Sequence, residues 1–454
     1  METDNNSGYP KILVVNHDPF NTERNNGMTM SNLFRGWPKD RLAQVYLSQI
    51  APSFDVCCRY WKISEGGVIR GTFRMPPISV VEETRTVNAE DFLIVEPRKS
   101  LLRRYLSKIA RKISPRHAEP LREVFFRLPA VISKPMLSWI REFQPDAVYS
   151  MMGTSHMLRL AVKLSEEFNI PFIPHFTDDW PTTQYLNCFG GKMLRRNMHA
   201  WLLTSLRRAP ARLVIGDMMA EEYTRRYKGH FEPFMNCLDA SLFPYSEASG
   251  NKTGPVRFVY IGGLHLNRWQ SLQEIGRNLE ELKSEGFDSE LVIYTYPYDV
   301  DAYREQLTAS SVMKIEGWVP NHEVPAVIQA ADVLVHVESF DEEIKTYTRF
   351  SVSTKIPEYM IAGRCLFAYG PGEVASIRYV RESGAGISVG DQDSAALKRE
   401  LRKVLADDTQ RLHYGSTART MALARHEAVV QRDKLRQVII KCVNDWPAHR
   451  RDQL

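Results

Sequence analysis

Phe350-Ser351-Val352-Ser353-Thr354-Lys355-Ile356-Pro357-Glu358-Tyr359-Met360-Ile361-Ala362-Gly363-Arg364-Cys365-Leu366-Phe367-Ala368-Tyr369-Gly370-Pro371-Gly372 reads as a loop, a short helix, a buried strand and a glycine loop. Ser353 or Thr354 is placed to cap the helix. Pro357 falls in its first turn, where a missing N–H costs least, and Gly363 ends it. Cys365 to Tyr369 is a short apolar run, the pattern of a strand covered on both faces. Gly370-Pro371-Gly372 breaks that strand and is expected to bare backbone N–H groups. Ligands of open α/β sheets sit at the carboxyl ends of strands. A helix start flanked by Ser, Thr and Lys is an anion site.

Outward from this stretch the chain reads as two successive α/β halves. The second half opens at Val256-Arg257-Phe258-Val259-Tyr260-Ile261, a strand that runs into Gly262-Gly263. Arg268 precedes a helix expected from about Ser271. Leu291-Val292-Ile293-Tyr294 and Asp332-Val333-Leu334-Val335-His336-Val337 are further strands, and Glu338 to Arg349 reads as a charged loop. In the first half, Lys11 to Val15 is a strand, and Gly27 is expected in the loop before a helix from Met28. Leu42 to Leu47, Phe92 to Val95, Ala147 to Ser150, Ile170 to Phe176 and Leu213 to Gly216 are strands, and Asp178 lies just past one strand end. Residues 98–122 form the most basic segment, with Leu101, Leu102, Tyr105, Leu106, Ile109 and Ile113 on one helical face and Arg103, Arg104, Lys108, Arg111 and Lys112 on the others. That is an amphipathic basic helix, suited either to a membrane surface or to a solvated face of its own domain.

Composition narrows the class. A chain of 454 residues that is 43% apolar implies two or three domains with sizeable cores. A net charge of +5 suits phosphate-bearing ligands or an anionic membrane; nucleic acid calls for a denser basic surface. The six cysteines contain no C-x-x-C pair, so zinc and redox motifs are absent, and a reducing cytoplasm fits them better than a disulfide scaffold. The N-terminus has no signal-peptide core. No apolar run approaches the roughly 20 residues that span a bilayer.

Glu358-Tyr359-Met360-Ile361-Ala362-Gly363, with Lys355 three residues before the acid, resembles the donor-site helix of the GT-B glycosyltransferases of family 4, a retaining group. Several other stretches resemble the same family in order: Gln144-Pro145-Asp146 and its strand, Asp178-Asp179-Trp180-Pro181, Asn236-Cys237-Leu238-Asp239 with Phe243-Pro244, and Gly317-Trp318-Val319. The resemblance covers most of residues 10–445. It implies two Rossmann-like, doubly wound α/β domains facing across a cleft. Residues 1–244, completed by 425–454, would form the acceptor-side domain, 245–255 a linker and 256–424 the donor domain, with the last helix crossing back.

The resemblance implies transfer of a sugar from a nucleotide-sugar donor to a glycan or lipid-linked acceptor, as in polysaccharide biosynthesis. Lys355 and Arg268 would stabilise the leaving diphosphate, with backbone N–H groups near Gly263 and Gly372 and the anion site at Ser353 and Thr354. Glu358 would accept from the ribose hydroxyls, Trp318 would lie against the nucleobase, Gly27 would touch phosphate or acceptor, and Asp178 would contact sugar or acceptor. Plainer readings are a surface lysine, a solvated arginine, an exposed first-turn glutamate and a turn aspartate. No cofactor, metal or protein nucleophile is implied. Asp391-Gln392-Asp393 spells the D-x-D of metal-dependent enzymes but sits at a helix start, where capping is its use. Location is expected to be cytoplasmic, with residues 100–113 on the inner membrane face. One family feature departs: a second Glu is usual seven or eight residues before the first, where this chain has Ser351 and Phe350. That departure raises a non-catalytic nucleotide-sugar binder, or a GT-B epimerase, as alternatives.

Overall fold

The structure, a computed structural model, describes residues 8–22, 25–64, 85–87, 123–243, 254–308 and 310–451, with positions 68, 72, 120, 121 and 245 besides. The strand expected at Phe92 to Val95, the basic segment 98–122 apart from positions 120 and 121, and the linker 245–255 apart from 245, 254 and 255 lie outside the described residues. The chain divides into two units. The first holds Met1–Val214, Ala220–Pro233 and Arg432–Leu454; the second holds Ile215–Met219 and Phe234–Gln431.

The first unit is built on eight strands: β1 (Ile12–Val15), β2 (Leu42–Tyr46), β3 (Arg59–Lys62), β4 (Arg85–Val87), β5 (Ala147–Met152), β6 (Phe172–Phe176), β7 (Leu213–Val214) and β8 (Glu232–Pro233). Their order is β4-β3-β2-β1-β5-β6-β7-β8, and only the β3–β4 pair is antiparallel. β1, β2, β5 and β6 are buried at every residue, as strands covered by helices on both faces must be. The loop after β1 is held by the buried Gln44 of β2. Its Oε1 accepts from the Phe20 N–H at 2.8 Å and its Nε2 donates to the Asp18 carbonyl at 3.1 Å, so a polar side chain in the core is fully used.

The second unit carries six strands, all parallel: β9 (Val256–Ile261), β10 (Ser289–Tyr294), β11 (Met313–Glu316), β12 (Val333–Val337), β13 (Cys365–Tyr369) and β14 (Gly386–Val389). The order is β11-β10-β9-β12-β13-β14, which is the doubly wound order whose direction of travel reverses between β9 and β12. Successive residues face opposite cores. Val259, Ile261, Leu334, Leu366 and Ala368 belong to one apolar cluster; Phe258, Tyr260, Val333, Val335, Phe367 and Tyr369 belong to the other. That period of two is what a sheet sandwiched between helix layers demands, and it fulfils the two-faced burial expected of Cys365 to Tyr369.

Several helices form where the sequence reading left them out. Gly191–Arg207, Pro297–Leu307 and Asp408–Arg425 are helical, and Glu342–Thr348 interrupts the expected charged loop, capped by Asp341, whose side chain accepts from the N–H groups of Glu343 and Ile344. Asp393 caps Ser394–Ala406 through the Ala395 N–H at 2.9 Å, so the D-x-D string is a cap. The last helix, Ala428–Arg451, starts in the second unit and continues in the first. There Arg432 donates to the Asn32 carbonyl at 2.7 Å and the Trp446 indole to that of Asn169 at 3.0 Å.

Candidate functional site

The reversal point of the second sheet lies between β9 and β12, and ligands of such sheets bind outside the carboxyl ends of the strands there. β9 ends on Gly262-Gly263, β12 on Glu338 and β13 on Gly370. The turn after β9 is pinned from several sides. The Gly262 N–H donates to the Tyr294 carbonyl at 2.9 Å, the buried Tyr260 hydroxyl to the Gly263 carbonyl at 2.8 Å, and the Leu264 N–H to Asp299 at 2.9 Å. A Cβ on Gly262 would stand 1.7 Å from the Lys355 Nζ, and its φ of +143° disfavours any side chain. The lysine therefore lies directly over the glycine turn.

Lys355 opens the helix Lys355–Ile361. Its ammonium sits 4.6 Å from the centroid of the Tyr260 ring, a cation–π contact, and 3.4 Å from the Tyr260 hydroxyl. Burial, then the Arg268 charge, pushes it down to about 7. Glu358, one turn later on the same helix, keeps some accessible surface but is recessed deeply enough that burial pushes it up to about 7, against the pull of Lys355. A recessed lysine and a recessed glutamate replace the surface lysine and exposed glutamate of the plainer readings.

Arg268 opens the helix Arg268–Ser284, three residues earlier than expected. Its side chain is 13% exposed and meets Glu338 at 3.4 Å, so it is not a solvated cation. Glu338 is buried. Its other oxygen lies 3.0 Å from His336 Nε2, and its carbonyl accepts from Ser271 at 2.8 Å. Burial pushes the Glu338 carboxyl up, but Arg268 and His336 outweigh it and hold it down at about 2. The Arg268 Nε and the His336 Nδ1 are buried without a hydrogen-bond partner, unusual for polar atoms. A Cβ on Gly370 would approach the Glu338 Cβ to 2.8 Å, so the end of β13 closes on this acid. In the sequence Glu338 reads only as the first residue of a charged loop. The available signal was its place directly after the five buried residues of β12.

An aromatic wall borders the glycine turn. A Cβ on Gly263 would lie 3.4 Å from the Tyr296 ring and 2.6 Å from His265 Nδ1. Tyr296 stacks on Trp318 at 4.3 Å and 15°, and on Tyr298 at 5.2 Å and 8°. Trp318 remains 40% exposed, so it presents a flat apolar surface next to the charges.

Three expectations are corrected. Gly372 does not bare its N–H, which donates to the Gly390 carbonyl at 2.9 Å, while the Gly370 N–H donates to Val389 at 3.2 Å; the glycine loop continues the pairing with the strand beside it. Neither Ser353 nor Thr354 forms a strong side-chain cap: Thr354 is the capping residue without a side-chain bond, and the Lys355 N–H reaches Ser353 Oγ only at 3.5 Å. Gly27 lies inside the first turn of the helix Asn25–Phe34, not in a loop, and a Cβ there would strike Asn21 and the Pro19 carbonyl. It is a packing glycine. In the same unit, Asn26 Nδ2 lies 3.5 Å from Thr177, which donates to Asp178 at 3.2 Å. The next residue, Asp179, is the anchored one: it is buried and accepts from Tyr223 at 3.0 Å and from Arg226 at 2.9 and 2.8 Å.

Residues 270–436 match the family model described as glycosyl transferase-like. No curated protein matches the chain in sequence. Among solved structures, HepE from Anabaena in complex with UDP-glucose is similar over 95% of this chain and 100% of its own, with a TM-score of 0.61 at 12% identity. The sucrose-phosphate synthase of Thermosynechococcus elongatus gives 0.60 at 12% identity over 95% and 98%. WaaG, a glycosyltransferase involved in lipopolysaccharide biosynthesis, gives 0.55 at 13% identity over 94% and 99%. The fold is GT-B.

In this GT-B chain the family match lies in the second unit up to Gln431, continues to residue 436 in the first, and includes Lys355, Glu338, Glu358 and Trp318. The structure brings Lys355, Arg268 and Gly263 to one turn, sets Glu358 on the same helix as Lys355, and links Trp318 to the turn through Tyr296. Gly27 and Asp178 belong to the first unit. Among the described residues, no group of three or more His, Cys, Asp or Glu side chains is placed to hold a metal ion, and no helix is long and apolar enough to cross a membrane.

Proposed function

We propose that this protein is a glycosyltransferase that moves a sugar from a nucleotide-sugar donor, with the donor diphosphate over the Gly262-Gly263 turn. The observation that carries the reading is the position of Lys355 over a pinned glycine turn at the carboxyl end of β9. The family match over residues 270–436 and the GT-B fold of HepE, described in complex with UDP-glucose, support it.

In this reading the Lys355 ammonium, the Arg268 charge and the turn's backbone dipoles stabilise the charge that develops on the departing diphosphate. They do so before the reaction begins, so nothing has to reorganise. Bound phosphate favours the charged form of Lys355, against the burial and the Arg268 charge that push the lysine down to about 7. Glu358 accepts from the ribose hydroxyls, and Trp318 takes the base against its open face. Asp178 contacts the acceptor side, and Ser353 and Thr354 line the approach to the lysine. The reaction is retaining, without a protein nucleophile and without a metal. The acceptor is a glycan or lipid-linked glycan, and residues 100–113 hold the protein to the inner face of a membrane.

The test is incubation of purified protein with a panel of nucleotide sugars, with and without glycan acceptors and EDTA. Released nucleoside diphosphate together with a glycosylated product in EDTA is expected. Binding without turnover points to the non-catalytic alternative, and an isomerised donor to the epimerase. Activity lost in EDTA and restored by Mg²⁺ or Mn²⁺ overturns the metal-independent step.

A further inference from the structure

His336 and Glu338 stand two residues apart at the end of β12. Glu338 continues the ladder past the strand, its N–H donating to the Tyr369 carbonyl at 2.9 Å. The two side chains therefore follow Leu334 on one face of the sheet. Both are buried. An imidazole and a carboxylate in that place carry a desolvation cost that apolar residues would not. What the pair does there is hold Arg268.

The helix Arg268–Ser284 is tied to Glu338 at two points. Arg268 Nη2 meets Glu338 Oε2 at 3.4 Å, and Ser271 Oγ, three residues on, donates to the Glu338 carbonyl at 2.8 Å. His336 Nε2 lies 3.0 Å from Oε1 and so fixes the carboxylate with its other oxygen toward the arginine. The guanidinium is gripped by one nitrogen rather than by the two of a bidentate fork, and its Nε makes no hydrogen bond. Donors are thus left unspent beside the glycine turn. An arginine without this grip would have to be ordered when its ligand arrives, at a cost in affinity. Glu338 also lets two cations share the turn. Burial, then the Arg268 charge, pushes Lys355 down, and the Glu338 charge opposes that.

We propose that Glu338, oriented by His336, is a positioning residue: it holds the Arg268 guanidinium at the edge of the Gly262-Gly263 turn, ready for the donor diphosphate. The inference rests on the donor-site reading given above, with Arg268 touching phosphate and the acid and the imidazole acting only through it.

The experiment is calorimetric titration of uridine diphosphate and uridine into the parent and a set of folded variants. Arg268→Met should weaken the diphosphate by roughly ten- to a hundredfold, the loss of a charge-assisted hydrogen bond. Glu338→Asp and His336→Leu both keep the carboxylate charge and loosen its grip. Each should weaken the diphosphate by about tenfold, the cost of ordering one long side chain on binding, and leave uridine unchanged. His336→Gln, which retains an N–H donor for Oε1, should bind as the parent does. Glu338→Asp combined with Arg268→Met should be no weaker than Arg268→Met alone. A purely structural role would weaken diphosphate and uridine together and add to the Arg268→Met loss, and that result overturns the proposal. Parental diphosphate affinity in both Glu338→Asp and His336→Leu, with Arg268→Met weakened, also overturns it and leaves the donor site standing. No binding by the parent, or parental binding by Arg268→Met, overturns the role of Arg268 in the donor site, and the inference falls with it.

Discussion

The Lys355 ammonium stacks 4.6 Å from the centroid of the Tyr260 ring, in space that only a glycine at position 262 leaves free. A strand residue, a turn residue and a helix residue thus jointly fix one cation. Any side chain at 262 must move the lysine. Gly262→Ala is expected to weaken nucleoside diphosphate binding about as much as Lys355→Met does. Its backbone φ adds a stability loss of about 1–3 kcal/mol. Calorimetric titration and thermal melting read the two effects separately. Parental affinity in a folded Gly262→Ala protein contradicts the placement.

Glu338 lies between Arg268 and His336 with both oxygens engaged. Removing its charge leaves Arg268 buried and unpaired, a cost of about 3–5 kcal/mol. Glu338→Gln is expected to lose that much in denaturant unfolding, and adding Arg268→Met should recover part of it. Because the folded carboxyl is held at about 2, below its ordinary 4.5, its contribution is present above pH 4.5 and disappears as pH falls through 2. Additive losses in the double variant contradict the pairing.

Lys355 and Glu358 give opposite pH slopes without ligand. Between pH 4.5 and 7 the folded chain holds a Glu358 proton that the unfolded chain has released, so stability falls as pH rises. Between 7 and 10.5 the unfolded chain holds a Lys355 proton that the folded chain has released, so stability rises. A trough near pH 7 is expected in the melting temperature. Screening through the accessible part of each side chain limits each limb to about 1 kcal/mol. Glu358→Gln should flatten the acid limb and Lys355→Met the alkaline one. Unchanged limbs in both variants contradict the shifts.

What the sequence disclosed followed local pattern. The helix with Lys355 and Glu358, its end at Gly363 and the strand Cys365 to Tyr369 are legible because periodicity, a glycine in a left-handed turn and a two-faced apolar run all agree there. Glu338 was hidden because a buried acid and a loop acid look alike until Arg268 and His336, from other elements, close on it. Gly27 reads as a loop glycine because Asn25-Asn26-Gly27 are poor helix formers; contacts with Pro19 and Asn21 override that preference. The Gly372 N–H looked available because its acceptor, Gly390, belongs to the end of another strand. The helix Gly191–Arg207 is hard to read from sequence because Met193, Ala200 and Leu203, all exposed, blur the amphipathic pattern that signals a helix.

Trp318 stacks on Tyr296 with one face and stays 40% exposed. If that open face takes the base, Trp318→Ala should weaken nucleoside and nucleoside diphosphate alike, by roughly ten- to a hundredfold at about 1–3 kcal/mol per stacked base. Inorganic diphosphate should bind as before. Tryptophan fluorescence of the parent should respond to nucleoside but not to diphosphate, and the reverse pattern contradicts the assignment.

Lys355 gripping phosphate and Glu358 gripping ribose at one donor site would be separated by calorimetric titration of uridine diphosphate and uridine into the parent, Lys355→Ala and Glu358→Ala. A charge-assisted hydrogen bond is worth about 1.5–3 kcal/mol, so each truncation should weaken the diphosphate by roughly ten- to a hundredfold. Lys355→Ala should leave uridine nearly unchanged, whereas Glu358→Ala should weaken uridine as well. Diphosphate affinities equal to the parent's in both folded variants would rule out this donor site.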